Sequence, residues 1–91
     1  MPEVFLRVTF NDYDQWKKVF DEADDFRRSH RVVAESVHRD VDDPQKAVVL
    51  LTVEDLVRLR EAMGSPESRE IMQRAGIQGP PEVWLAEKRA Q

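Results

Sequence analysis

The chain has 91 residues, no cysteine, 14 basic and 18 acidic residues, and a formal net charge of −4. This length predicts a single domain over residues 1–91, and the lack of cysteine excludes disulfides, a thiolate nucleophile and cysteine-ligated metals. The acidic balance disfavours nucleic-acid binding. No apolar run approaches the roughly 20 residues of a membrane span, and the first residues, MPEVFLRV, lack a signal-peptide pattern, so we expect a cytoplasmic protein.

The first part of the chain predicts a strand, a helix and a second strand. Apolar residues alternate with others over 4–10, which is the period of a strand with one buried face. Asp12 is the predicted N-cap of a helix whose apolar residues recur at helical spacing, with Arg28 at its end. No glycine follows this helix, so the sequence does not define how it ends. Residues 32–39 predict the second strand.

The middle of the chain predicts a turn, a third strand and a helix. Acidic residues and a proline favour a tight turn over residues 40–44. The run AVVLLTV at 47–53 does not alternate, so both faces of this strand are predicted to be buried. Thr52 is predicted to cap the following helix, which ends at Gly64.

The last part of the chain carries the clearest helix signal. Ser65 followed by Pro66 is typical of a helix N-terminus, and Gly76 suits the left-handed residue beyond its last turn. After a proline-containing connector, residues 82–87 predict a fourth strand. Residues 88–91, KRAQ, are predicted to be a frayed tail.

The element order β-α-β-β-α-β predicts an α+β, ferredoxin-like domain, with a four-stranded antiparallel sheet and helices on one face. The helices cover only that face, whereas the third strand is apolar on both sides. Phe5, Trp84 and the face that contains Val37 also need cover. In a chain this small a second copy supplies it, so we expect a homodimer joined through its sheets into a barrel-like core.

Few residues show recognisable catalytic or metal-binding patterns. His30 and His38 are the only histidines, and Glu35 differs in strand parity from His38, so no metal site is predicted. Ser29 lies beside His30 but has no evident third triad member and no G-x-S-x-G context. The three glycines occupy helix-end positions and form no phosphate-binding loop, which argues against a nucleotide enzyme.

Aromatic and methionine side chains form the candidate ligand site. Tyr13, Trp16 and Phe20 lie along the first helix at helical spacing, and Met63 and Met72 lie on the later helices. Such stripes are usually core. The alternative is an apolar pocket between helices and sheet, with Tyr13 and Trp16 as its polar handles.

His38 is the sixth candidate ligand-binding residue. At the border of the acidic turn it is predicted to be exposed, near Asp40 or Asp42. In the alternative interpretation it projects into the pocket, where it is the one strand histidine that could act as a base. Arg7 is expected to pair with a neighbouring carboxylate such as Glu35.

Three stretches carry a resemblance to a known family: DYDQWKKVFDE at 12–22, RDVDDPQKAVVLL at 39–51 and SPESREIMQRAGIQGPPEV at 65–83. They resemble small bacterial proteins of the dimeric α+β barrel superfamily, close to the antibiotic-biosynthesis-monooxygenase-like and "cyclase" groups. The resemblance spans nearly the whole chain, and AGIQGPPEV is its most specific piece. It implies a ferredoxin-like protomer, a homodimer joined through the sheets, and a pocket between sheet and helices.

The resemblance also bears on function, because better-known relatives include cofactor-free monooxygenases of aromatic polyketides and haem-degrading enzymes. Relatives often carry histidine where this chain has Val8, Ala23 and Glu35, and glycine where it has Arg31. We therefore expect a small-molecule-binding protein with an apolar or aromatic ligand and no cofactor. The alternative is a cofactor-free monooxygenase or cyclase-like enzyme acting on aromatic polyketide-type substrates.

Overall fold

The computed structural model describes residues 1–89, so the last two residues of the predicted tail lie outside the described residues. Within them the elements are β1 (Pro2–Thr9), α1 (Tyr13–Glu22), α2 (Asp24–Ser29), β2 (Val32–Arg39), β3 (Lys46–Val53), α3 (Leu56–Met63), α4 (Pro66–Arg74) and β4 (Glu82–Glu87). The strands form one antiparallel sheet in the order β2-β3-β1-β4, which confirms the ferredoxin-like α+β fold. None of the helices in this part of the chain is long and apolar enough to cross a membrane.

Three of the four described helices, α1, α3 and α4, begin at side-chain caps, with one correction to the prediction. Asp12 caps α1 and Ser65 caps α4, each by accepting a hydrogen bond from the backbone N–H three residues further on. The predicted cap at Thr52 is wrong because Thr52 stays paired within β3. Asp55 caps α3 instead, since its carboxylate accepts from two backbone N–H groups in the first turn.

The helix predicted from Asp12 to Arg28 is divided at Ala23. The backbone N–H of Ala23 is shared between the carbonyl groups of Val19 and Phe20, at 3.0 and 3.2 Å, which tightens the last turn of α1. The chain then continues as the short helix α2.

The end of α2, which the sequence left undefined, uses an arginine in a left-handed conformation. Arg31 has a φ of 70° and follows the C-terminal residues of α2. Glycine is the usual residue in this region because it has no Cβ to clash. Arg31 therefore occupies, at a conformational cost, the position at which the resembled family carries glycine.

The core lies between the helices and one face of the sheet. Val4 and Val8 on β1 face the helices together with Val49 and Val53 on β3, and each is at most 4% exposed. Phe10 follows β1 and is fully buried among them. The period-2 alternation of β1 therefore sorts its side chains as predicted.

The opposite side of the sheet, which we call the open face, carries Phe5, Val48, Leu50 and Trp84. The strand register places Trp84, Phe5 and Leu50 side by side in one cross-strand row. Trp84 is 53% exposed, so the chain by itself leaves much of this indole in water. The third strand is thus apolar on both sides, as its sequence indicates.

The prediction that the face containing Val37 needs outside cover is wrong. The β2–β3 pairing has a β-bulge between Val32 and Ala34, which breaks the simple alternation of β2. Val32 is buried, and Val37 pairs with Val49 and packs against the core under the helices. The helices of the same chain therefore cover these side chains.

Candidate functional site

A cavity of about 280 Å³ lies between the helix layer and the sheet. Side chains of β1 and β3, such as Leu6 and Val49, form its floor, and side chains of α1, α3 and α4 form its roof. Its volume is near the lower end, about 300 Å³, of the range for small-molecule sites, and its mainly apolar lining is typical of them. The cavity therefore suits a compact ligand of one or two rings.

Four of the six predicted ligand-contacting residues line this cavity: Trp16, Phe20, Met63 and Met72. Trp16 is 3% exposed and stacks between the rings of Phe10 and Phe20, with ring centres 5.3 and 5.2 Å apart. Trp16 belongs to the buried core and Phe20 packs against it, whereas Met63 is 36% exposed and is not part of the core; what all four side chains share is a place in the cavity wall. Their contact with a ligand remains a prediction.

Tyr13 lies outside the cavity lining. Its ring packs edge-on against Phe10 with ring centres 5.9 Å apart, and the guanidinium of Arg39 lies 4.0 Å above its centre. The ring is thus held between the core and a strand arginine, and the expected polar handle at this position is not in the cavity wall.

His38 faces away from the cavity. It pairs with Val48 on the open face, and its Nε2 lies 2.9 Å from the hydroxyl of Ser36. The pocket interpretation of His38 is wrong because residues of this parity in β2 point away from the helices. The side chain is exposed, as the turn-edge interpretation predicts.

Arg7 pairs with Asp40 and not with Glu35. The Nη2 of Arg7 lies 3.0 Å from Oδ2 of Asp40. The other carboxylate oxygen accepts hydrogen bonds from the backbone N–H groups of Asp42 and Asp43, at 2.9 and 3.0 Å. These backbone bonds, together with Arg7, hold the pKa of Asp40 below its ordinary value of 3.8. The pairing joins the β2–β3 turn to β1.

The polar side chains of the cavity wall include three that the sequence analysis missed, namely Arg27, His30 and Ser68. Arg27 is firmly held: its Nε and Nη2 donate to the carboxylate of Glu35 at 2.7 and 3.1 Å, and its Nη1 donates to the carbonyl of Phe20 at 2.6 Å. The guanidinium also lies 3.6 Å above the ring of Phe20. Glu35 therefore serves as the partner of Arg27.

His30 stands at the end of α2 with one ring nitrogen anchored. Its Nδ1 lies 2.8 Å from the carbonyl oxygen of Phe26, and its ring packs against the Phe26 ring with centres 4.6 Å apart. Phe26 belongs to the apolar stripe of the first predicted helix, and His30 follows it by four residues. The i, i+4 spacing that puts them on one helix face is the signal that could have identified His30.

No three histidine, aspartate or glutamate side chains within residues 1–89 are grouped as ligands of a metal ion. The polar groups of the cavity wall are hydrogen-bonding groups on an apolar surface. Such a wall can orient a ligand through one or two polar contacts while burying its apolar body.

The fold is shared with proteins of known structure. The chain has the fold of the antibiotic biosynthesis monooxygenase-like proteins. A Bordetella bronchiseptica protein assigned as an antibiotic biosynthesis monooxygenase is similar to it with a TM-score of 0.79 and 15% sequence identity, over 98% of this chain and 97% of that chain.

Two further solved structures agree. SnoaB, a cofactor-independent oxygenase from Streptomyces nogalater, has a TM-score of 0.78 and 18% identity over 99% of this chain and 94% of its own. A conserved protein from Methanosarcina mazei has a TM-score of 0.75 and 12% identity over 97% and 92%. The chain matches no family model, and no curated protein matches it in sequence. At these identities the similarity establishes the fold alone.

Proposed function

We propose that this protein binds a small apolar or aromatic molecule in the cavity between its helices and its sheet. The observation that carries the proposal is the apolar cavity itself, with Trp16 and Phe20 in its wall. An apolar space of this size that is not filled by side chains leaves its lining without packing partners, which a ligand would supply.

The proposal is tested by filling the cavity. Ala62 on α3 lines the cavity and is 4% exposed. In Ala62→Leu the added methyl groups occupy ligand space and are expected to stabilise the free protein by about 1 kcal/mol. Val57→Leu is the matched control, because Val57 lies on the same helix and is 66% exposed.

The measurement is a thermal-shift screen with aromatic compounds. A ligand at 100 times its dissociation constant adds about 2.7 kcal/mol, which raises the melting temperature of a domain this size by roughly 10 to 20 °C. We expect this shift in the wild type and in Val57→Leu, and its loss in Ala62→Leu. An equal shift in all three proteins would place the ligand elsewhere and contradict the proposal.

We also propose that the protein is a homodimer joined through the open face. Trp84, Phe5 and Leu50 form a continuous apolar row there, and 53% of the Trp84 surface is exposed in the single chain. A two-fold related copy would bury the same row on both subunits. The resemblance given above supports this arrangement because it implies a homodimer joined through the sheets.

A second candidate function is cofactor-free oxygenation of an aromatic polyketide-type substrate. The specific observation in its favour is the fold shared with SnoaB, which is a cofactor-independent oxygenase. Oxygen uptake with an anthrone, present in the wild type and lost in Ala62→Leu, would support it. A cyclase-like reaction would convert the compound without oxygen uptake. If neither occurs, the binding function stands alone.

A further inference from the structure

We propose that His30 is a specificity-determining residue of the cavity and that its Nε2 accepts a hydrogen bond from a hydroxyl or N–H group of a neutral aromatic ligand. The inference deepens the proposed ligand-binding function and rests on it. It starts from the position of His30, which lines both the cavity and an open cleft that adjoins it between α2 and α4.

The hydrogen bonds of His30 define which ring nitrogen carries the hydrogen. Nδ1 lies 2.8 Å from the carbonyl oxygen of Phe26, and a carbonyl oxygen can only accept. The hydroxyl of Ser29 donates to the same oxygen at 2.8 Å, so it does not supply a hydrogen to Nδ1. Nδ1 is therefore the donor, and in the neutral ring Nε2 is the acceptor.

The anchored nitrogen also determines which edge of the ring can meet a ligand. Because Nδ1 is turned toward the helix carbonyl and the ring packs on Phe26, the Nε2 edge is the part of His30 that remains for a bound molecule. An acceptor in a mainly apolar wall favours a ligand that brings a donor, since a buried polar group without a partner costs free energy.

The charges around the adjoining cleft argue against an anionic ligand. The cleft is lined by four carboxylates, from Glu22, Asp25, Glu67 and Glu70, against one arginine, Arg74. Arg74 lies 3.8 Å from Glu22 and is partly neutralised by it. A carboxylate ligand would approach His30 beside a net negative rim, which disfavours its binding.

Arg27 does not reverse this preference. Among residues 1–89 it is the one arginine that lines the cavity, and Glu35 binds its guanidinium through two hydrogen bonds, while the carbonyl of Phe20 accepts a third. Its charge is thus balanced within the protein. In the part of the chain that the structure describes, the cavity wall offers an acceptor at His30 and no unpaired arginine or lysine for a carboxylate, so the favoured ligand class is a neutral aromatic with a hydroxyl or N–H group.

Three probes of matched ring size test this inference: 1-naphthol, 1-methoxynaphthalene and 1-naphthoate. Dissociation constants are measured by titration calorimetry. One hydrogen bond of ordinary strength predicts that wild-type protein binds 1-naphthol about five- to tenfold more tightly than the methyl ether, and the anion most weakly.

The indole N–H signals in the NMR spectrum locate the ligand, because Trp16 lines the cavity and Trp84 lies on the open face. The signal of Trp16 should move and that of Trp84 should not.

The variants separate His30 from the cavity as a whole. His30→Phe keeps a ring against Phe26 and removes the acceptor. In this variant 1-naphthol and the methyl ether should bind with about equal dissociation constants. His30→Gln restores an acceptor and should recover part of the preference. His38→Gln is the matched control and should leave it unchanged, because His38 is on the other side of the sheet.

The outcomes distinguish this inference from the proposed function. Equal binding of naphthol and ether by the wild type, a preference that survives in His30→Phe, or tightest binding of the naphthoate would each overturn the role of His30 and leave the cavity as a binding site. If none of the three probes moves the Trp16 signal, the proposed function fails for ligands of this class, and the role of His30 fails with it.

Discussion

Truncation of Trp84 to alanine should dissociate the proposed dimer without unfolding the protein. The side chain of Trp84 lies on the open face beside Phe5 and is 53% exposed in the single chain. The core of the protomer lies on the other side of the sheet. Trp84→Ala should therefore remove contacts with a second copy and few contacts within the chain.

The size of the effect follows from the exposed area. A tryptophan side chain can bury up to about 250 Å², so an exposure of 53% leaves about 130 Å² of Trp84 for a partner to cover. At about 25 cal/mol per Å² this corresponds to about 3 kcal/mol for each protomer. A symmetric dimer buries Trp84 of both protomers, so the variant loses this contribution twice. Interface area converts incompletely to affinity, so we expect the dissociation constant to rise by at least about a hundredfold.

Sedimentation equilibrium measures this change directly, because a dimer has twice the 10.6 kDa mass of the chain. Val57→Ala is the matched control: Val57 is an apolar side chain that is 66% exposed on α3, on the helix side. It should leave the dissociation constant unchanged. A wild-type protein that sediments as a monomer at micromolar concentration, or a Trp84→Ala variant that dimerises as tightly as the wild type, would refute the reasoning.

Three other predictions concern stability. Arg31→Gly should raise the free energy of unfolding in urea by about 1 kcal/mol, because Arg31 has a φ of 70°; a decrease would contradict this. The pKa of Asp40 is lowered in the folded protein, so its ionised carboxylate stabilises the fold above the ordinary pKa of 3.8, and this stabilisation is lost as the pH falls through the folded pKa. Asp40→Asn should therefore make the free energy of unfolding fall less steeply at acidic pH. An unchanged fall would refute this reasoning. Glu35→Ala should lower the free energy of unfolding by about 2 kcal/mol in chemical denaturation, because it leaves Arg27, whose side chain is only 11% exposed, without its carboxylate partner. Lys17→Ala breaks an exposed ion pair and should lower it by about 0.5 kcal/mol or less. Equal losses would contradict the role of burial.

The fold could be predicted because its elements carry strong local signals. Ser65 with Pro66 marks the start of α4, Asp12 marks the start of α1, and the apolar run 47–53 marks β3, of which one face is buried and the other half-buried. Each signal depends on a few adjacent residues whose backbone preferences agree with the final structure. The cavity wall was partly predictable for the same reason, since Trp16 and Phe20 share a helical face.

The remaining features depend on how neighbouring elements pair and pack, which no local residue pattern specifies. The bulge at the start of β2 places Val37 on the helix side, and no residue type near the bulge predicts it. Arg27 finds Glu35 eight residues away, across the junction between α2 and β2. Polar residues at helix ends are usually exposed to solvent, so we did not expect Arg27 and His30 in a cavity wall from the sequence.

The edge position of β4 has a consequence for the local stability of the cavity wall. Within residues 1–89, β4 hydrogen-bonds to β1 alone, and Val83 and Leu85, which face the helix side, are 39% and 40% exposed. Val83 is also part of the cavity wall. A strand held along one edge opens at lower free energy than the central strands, so its amide hydrogens should exchange with solvent before those of β3. The part of the cavity wall that contains Val83 would then open locally while the central strands stay paired.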